Sequence, residues 1–97
     1  MTSLLITYDV ETTTPEGRQR LRQVAQTCLD FGQRVQMSVF ECLVDDTRYL
    51  QLLARLEKVI DKNKDSLRIY RLPPDRDKNI VTIGRDRFVD FTGPLII

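Results

Sequence analysis

The chain contains no histidine. Any metal site must therefore be built from oxygen ligands, a donor set that suits magnesium, calcium or manganese. Cysteine is scarce. Cys28 and Cys42 both fall in apolar-patterned segments and read as small buried hydrophobes, not as a disulfide or a redox pair. No apolar run is long enough to span a bilayer, and no basic region leads into an apolar signal stretch, so the expected compartment is the cytosol and no membrane is expected as a partner. A dominant charge is missing too. Fifteen Lys and Arg stand against fourteen Asp and Glu, a net charge of +1. No global field attracts nucleic acid, and such binding needs a local cationic patch. Repeats and low-complexity stretches are absent.

What is present is a single domain's worth of chain. With 97 residues there is room for one core. The apolar fraction of 41% and charged fraction of 30% are those of a folded globular protein. Arginine outnumbers lysine, and arginine is the better bidentate phosphate ligand.

Residues 3–9 alternate as a strand, with Leu4, Ile6 and Tyr8 on one side and Leu5, Thr7 and Asp9 on the other. Both faces carry apolar groups, which predicts a central strand. Residues 11–17 form a loop running into a helix. Thr13 with Glu16 fits a capping box, and Thr14 with Pro15 fits a cap followed by proline, so the helix starts near residue 14 either way. Leu21, Val24, Ala25, Cys28 and Leu29 make its apolar stripe, and Gly32 is a plausible stop. Residues 34–44 are β-rich; pattern alone fits one long strand or two strands joined by a tight turn. Asp45-Asp46-Thr47 caps a second helix with the stripe Tyr49, Leu52, Leu53, Leu56, Val59 and Ile60. The charged stretch 61–65 reads as a solvated turn. Residues 66–72 form a strand ended by Pro73-Pro74, and residues 79–84 a short final strand. The order β-α-β(β)-α-β-β predicts an α+β, ferredoxin-like sandwich: an antiparallel sheet with both helices on one face. Residues 1–84 form that domain. Residues 85–97 form a partly apolar tail that docks on the dimer or on a partner, with Phe88, Phe91, Leu95, Ile96 and Ile97 as its contact residues. The open sheet face predicts closure by a second copy.

Two features point to chemistry. Asp9 ends an apolar strand, and a carboxylate there must be hydrated, paired or bound to a cation. The run from Arg34 to Cys42 is β-rich with a cation at its start. Together they suggest a site for a metal and a phosphate. Arg18 falls on the stripe with Leu21 and Ala25, near the core edge and within reach of Asp9. It is read as a phosphate contact or as a buried-stem arginine paired with an acid, and Arg20 as pointing to solvent or phosphate. Arg34 suits an ion pair or a phosphate contact, Ser38 a phosphate contact or a turn hydroxyl, and Phe40 the core or an interface. Arg68, Arg71, Arg76, Lys78, Arg85 and Arg87 form a duplex-binding rim or are scattered surface cations. Glu11 and Glu41 are read as surface or sheet-edge residues.

Tyr8-Asp9 after an apolar strand, Arg18 and Arg20 early in the first helix, and Arg34-Val35-Gln36-x-Ser38-Val39-Phe40 resemble the CRISPR-associated endonuclease subunit of spacer acquisition, the small ferredoxin-like partner of the CRISPR integrase. The resemblance runs from residue 3 to the terminus, where Gly93-Pro94-Leu95-Ile96-Ile97 is similar to the tail of one subgroup. It implies a homodimer through the open sheet faces. Asp9 would face its twin across the two-fold axis with one magnesium or manganese ion between them. Arg18, Arg34, Ser38 and Phe40 would join the catalytic region. The implied activity is hydrolysis of RNA or double-stranded DNA, and the implied partners are the integrase and duplex DNA or single-stranded RNA. It also implies two strands within the run at residues 34–40, and a final strand and tail that pack across the dimer and meet the integrase. A non-catalytic adaptor for duplex and integrase, or a toxin-like ribonuclease of the same fold, are the competing expectations.

Overall fold

Thr14 decides where the first helix begins: its side chain accepts the Gly17 N–H, and Pro15 occupies the first turn where no N–H is needed. The computed structural model describes residues 1–89. Strand β1 spans Thr2–Asp9, helix α1 Pro15–Phe31, strand β2 Gly32–Gln36, strand β3 Val39–Val44, helix α2 Asp46–Val59 and strand β4 Ser66–Arg71, followed by a single 3-10 turn at Arg76–Asn79. The β-rich stretch is thus two strands, reversing at Met37-Ser38. Helix α1 passes into β2 with no intervening loop. Gly32 serves there because a Cβ would lie 2.2 Å from the Glu41 carbonyl oxygen and 2.6 Å from Cys42 Sγ. Asp45 caps α2 by accepting the Arg48 N–H.

The four strands form one antiparallel sheet in the order β2-β3-β1-β4, the arrangement expected for a ferredoxin-like sandwich. Leu4 pairs with Cys42 and Ile6 with Phe40, so these four residues share the face under the helices. They are buried with Tyr8, Val44, Val24 and Cys28 of α1, and Leu52 and Leu56 of α2. Burial pushes the Cys28 thiol up to about 12 and the Cys42 thiol up to about 11, and both remain free. Such thiols are inert apolar filling. Leu29, assigned to the stripe of α1, is instead exposed. Its 100° step past Cys28 carries it beyond the region the sheet covers.

The opposite sheet face carries Leu5, Thr7, Val39 and Glu41. No fifth strand forms among the described residues: the strand expected over residues 79–84 is irregular backbone following the 3-10 turn that ends at Asn79. A strand needs an edge to pair with. β1 already has neighbours on both sides, and this segment runs over the sheet face instead of along an edge. There it borders a cleft of about 760 Å³ lined by Leu5, Thr7, Val39, Ile80 and Ile83. Two contacts hold the crossing. Arg76 donates from Nε (2.6 Å) and Nη2 (3.0 Å) to the Glu41 carboxylate, with the Phe88 ring stacked against its guanidinium. Gln33 of β2 clasps Val89 by both amide atoms, accepting its N–H and donating to its carbonyl, each at 2.7 Å.

Core truncation separates the two faces of α2. Leu52→Ala should cost about 2–5 kcal/mol, because a fully buried side chain leaves a cavity. Leu50→Ala, at a residue 65% exposed, should fall within about 0.5 kcal/mol of the parent. Urea unfolding at neutral pH measures both.

Candidate metal and phosphate site

β1 ends at Asp9 between two fixed neighbours. On one side the Tyr8 N–H donates to the Ser38 carbonyl in the β2–β3 turn at 3.2 Å. On the other Asp9 stands opposite Ser66, the first residue of β4. Period-two alternation then puts Asp9 on the open face, opposite the buried Tyr8. Its carboxylate is exposed and makes no hydrogen bond or ion pair among the described residues. Arg68, opposite Thr7, is its diagonal neighbour on that face. Arg68 is exposed and donates to the Tyr70 hydroxyl at 3.1 Å, which leaves most of its guanidinium for an anion.

The other residues named from the sequence separate into different places. Phe40 is fully buried in the core under the helices, and Arg34 lies over its ring at 5.0 Å. Both are therefore on the sheet face away from Asp9. Arg34 faces the Tyr8 hydroxyl, whose pKa is raised because burial outweighs the nearby positive charge. The Arg34 Nε is buried without an acceptor, and Arg34 forms no ion pair among the described residues. Ser38 occupies the turn, where its carbonyl is the group engaged. Arg18 does not lie at the core edge; it is exposed and donates to the Thr12 carbonyl at 3.3 Å. One turn into a helix the stripe has not yet reached the sheet, and the stem projects past the β1–α1 loop instead.

Two of the proposed rim cations are otherwise engaged, and so is Arg20, which was expected to point to solvent or phosphate. Arg71 sits on the helix side of β4, its guanidinium 4.7 Å from the Tyr49 ring centroid. Arg76 is held by Glu41 and Asp77. Arg20 is ion-paired with Asp65, whose side chain is 0% exposed. Lys78, Arg85 and Arg87 remain exposed at the surface. Among the tail residues Phe88 stacks on Arg76, and Phe91, Leu95, Ile96 and Ile97 lie outside the described residues.

Two acids were missed as structural centres. Glu41 is 6% exposed, buried by the guanidinium it binds. Its position on β3 between two inward residues was the available signal for the open face, but not for a cation folding back onto it. Asp65 was read as part of a solvated turn. Its Oδ1 accepts the Glu11 N–H (3.1 Å) and Arg20 Nη2 (3.3 Å), and its Oδ2 accepts Arg20 Nε (2.8 Å) and the Asp61 N–H (3.0 Å). The Arg20 guanidinium beside it, more than the two N–H groups, holds its carboxyl below the usual carboxylate range.

No group of three or more carboxylates or thiols among the described residues is placed to surround a metal. Asp9 offers a hard, exposed carboxylate with no hydrogen bond or ion pair among the described residues. That fits magnesium or manganese, which keep several waters and are held by one or two carboxylates, if a second copy supplies the other. No helix is long and apolar enough to cross a membrane among the described residues.

Comparison with known proteins bears on these placements. The family model described as CRISPR associated protein Cas2 matches residues 1–80. The chain is similar to the CRISPR-associated endoribonuclease Cas2 1 of Moorella thermoacetica, 53% identical over 94 residues that cover 97% of this chain and 98% of that one. It is similar to the crystal structure of Streptococcus pyogenes Cas2 at pH 6.5, with a TM-score of 0.76, 48% identity, and coverage of 84% and 99% of the two chains. A chain of a partial Cas6-RT-Cas1–Cas2 complex shares the fold, at TM-score 0.72 and 22% identity over the full length of both.

The lowered Asp65 pKa fixes a pH dependence. Its contribution to stability is complete above the unfolded-state value of about 3.9 and is lost as pH falls through the lower folded value. Asp30, held down by Arg55, adds to stability in the same direction. The urea midpoint of the parent should fall as pH drops from about 5 to about 2. The midpoint of Asp65→Asn, already lower at neutral pH, should fall less over that window.

Proposed function

From the chain's membership of the CRISPR-associated Cas2 family, we propose that it is the nuclease-type subunit of spacer acquisition: a homodimer that holds one divalent ion between the Asp9 carboxylates of its two copies and hydrolyses phosphodiester bonds. The observation that carries this reading is the unengaged Asp9 carboxylate on the open sheet face, with Arg68 diagonal to it. Endoribonuclease is the activity named for the Moorella relative, and RNA is accordingly the first substrate to test.

Two carboxylates brought together repel unless a cation or a proton lies between them, so the pair is itself a reason for metal binding. A bound magnesium or manganese ion supplies Lewis-acid stabilisation of phosphate charge and lowers the pKa of water. Asp9 holds the ion. Arg68 and Arg18, both exposed, bind the phosphate backbone on either side without reading sequence. Arg34 and Phe40 act from beneath the sheet, as packing for Tyr8 beside the site. The cytosol is the compartment this function requires.

A second reading rests on the segment after β4. Val81 is 87% and Ile83 94% exposed, an apolar alternation with no strand partner among the described residues. Among the described residues β4 is the edge strand of the sheet, with no strand on its outer side. In the dimer this segment leaves the open face of its own chain and pairs along the partner's β4, which frees the faces that meet. The tail beyond it then presents the apolar surface for the CRISPR integrase. In that role the protein is an adaptor holding duplex DNA, whether or not it cleaves.

Asp9→Asn keeps the volume and removes the charge. Cleavage of RNA with magnesium or manganese should fall by at least about 100-fold, while the circular dichroism spectrum and the sedimentation of the dimer stay as in the parent. Cleavage at the parental rate by this variant would remove the catalytic reading. A spacer-acquisition assay with the same variant then separates the two roles: acquisition that persists marks the adaptor as the function under selection.

A further inference from the structure

β1 leaves the sheet at Asp9, and a single carboxylate per copy is a sparse metal ligand. Its direction must therefore be set by the backbone on both sides. The Tyr8 N–H is fixed by Ser38 before it. After it, Val10 is buried and the Glu11 N–H is held by Asp65 Oδ1 at 3.1 Å. Asp65 is also the residue before Ser66, which stands opposite Asp9 across β1 and β4. One carboxylate thus ties the end of β1 to the start of β4 at the position of the candidate ligand. It is built for this. The side chain is fully buried, and its two oxygens accept four N–H groups, two of them from the Arg20 guanidinium. A buried carboxylate with every lone-pair direction occupied has one orientation available.

We propose that Asp65, locked by Arg20, is a positioning residue for Asp9: it pre-orders the end of β1 so that the Asp9 carboxylate meets a divalent ion without first being immobilised. The inference rests on the metal reading of Asp9. Without the Asp65 clamp the last residues of β1 fray. The ordering entropy then falls on metal binding, and affinity drops. Asp65→Asn is the informative change, because whichever oxygen becomes the amide nitrogen would face two N–H donors and two of the four hydrogen bonds must break.

The test is a titration with Mn²⁺ alone, followed by electron paramagnetic resonance of the free ion, on the parent, Asp65→Asn and Asp9→Asn. It is run at a temperature where circular dichroism and sedimentation show all three folded and dimeric. Asp65→Asn should raise the Mn²⁺ Kd about tenfold, the lower end of what displaced supporting groups cost a metal site. Its cleavage rate at saturating Mn²⁺ should fall as well. A residue that only stabilised the fold would lower the melting temperature and leave the Kd of the folded dimer unchanged. Parental affinity in Asp65→Asn together with lost affinity in Asp9→Asn overturns the positioning role and spares the metal site. Parental affinity in Asp9→Asn overturns the metal reading, and this inference with it. Should Asp65→Asn not fold, Arg20→Lys decides. It keeps the charge but not the two-point fork, and its Kd must rise for the inference to stand.

Discussion

β1 has hydrogen-bonded neighbours along both edges and helices across one face. A strand held this way has one register, since a slip by one residue would turn Leu4, Ile6 and Tyr8 out of the core and bring Leu5, Thr7 and Asp9 in. The position of the candidate ligand follows from that constraint. Asp9 reaches the open face because Tyr8 is needed inside, and it ends the strand because the chain turns away to begin α1. Arg68 reaches the same face by the antiparallel pairing of β4 with β1. The packing of an apolar core thereby places an acid and a base as diagonal neighbours on the open face.

Two buried ion pairs close the molecule at opposite places. Asp65 with Arg20 seals the loops at the end of β1, where the chain passes from sheet to α1 and from α2 back to sheet. Glu41 with Arg76 brings the segment after β4 down onto the open face. Neither pair is chiefly a source of stability, since removing charges from water offsets most of what they gain from each other. What they supply is a single geometry for loops that have little apolar surface. The first pair is enclosed and tied to backbone N–H groups. The second lies at the margin of a cleft, beneath a segment that has apolar residues of its own exposed.

The secondary structure was largely legible. Helix caps at Thr14 and Asp45, the apolar stripes with Val24, Cys28, Leu52 and Leu56, and the alternation of β1 all depend on neighbours within a few residues, and the sequence carries that information directly. Leu29 and Arg18 were misplaced because periodicity gives an angle around a helix but not how far along it the sheet extends. The final strand was misplaced for a related reason: strand propensity in residues 79–84 is real, but an edge to pair with is a property of the assembly.

By itself the sequence determined the α+β class, the oxygen-only character of any metal site, the two helices and the orientation of Asp9 relative to the core. These follow from composition and from periods of two and 3.6 residues. Only the tertiary structure decided which cations remain free. Arg20 and Arg76 look no different in sequence from Arg68, yet each meets a buried acid 45 and 35 residues away, while Arg68 is left facing solvent. Pairing across such separations is set by where the sheet brings distant segments together, and no local pattern records it.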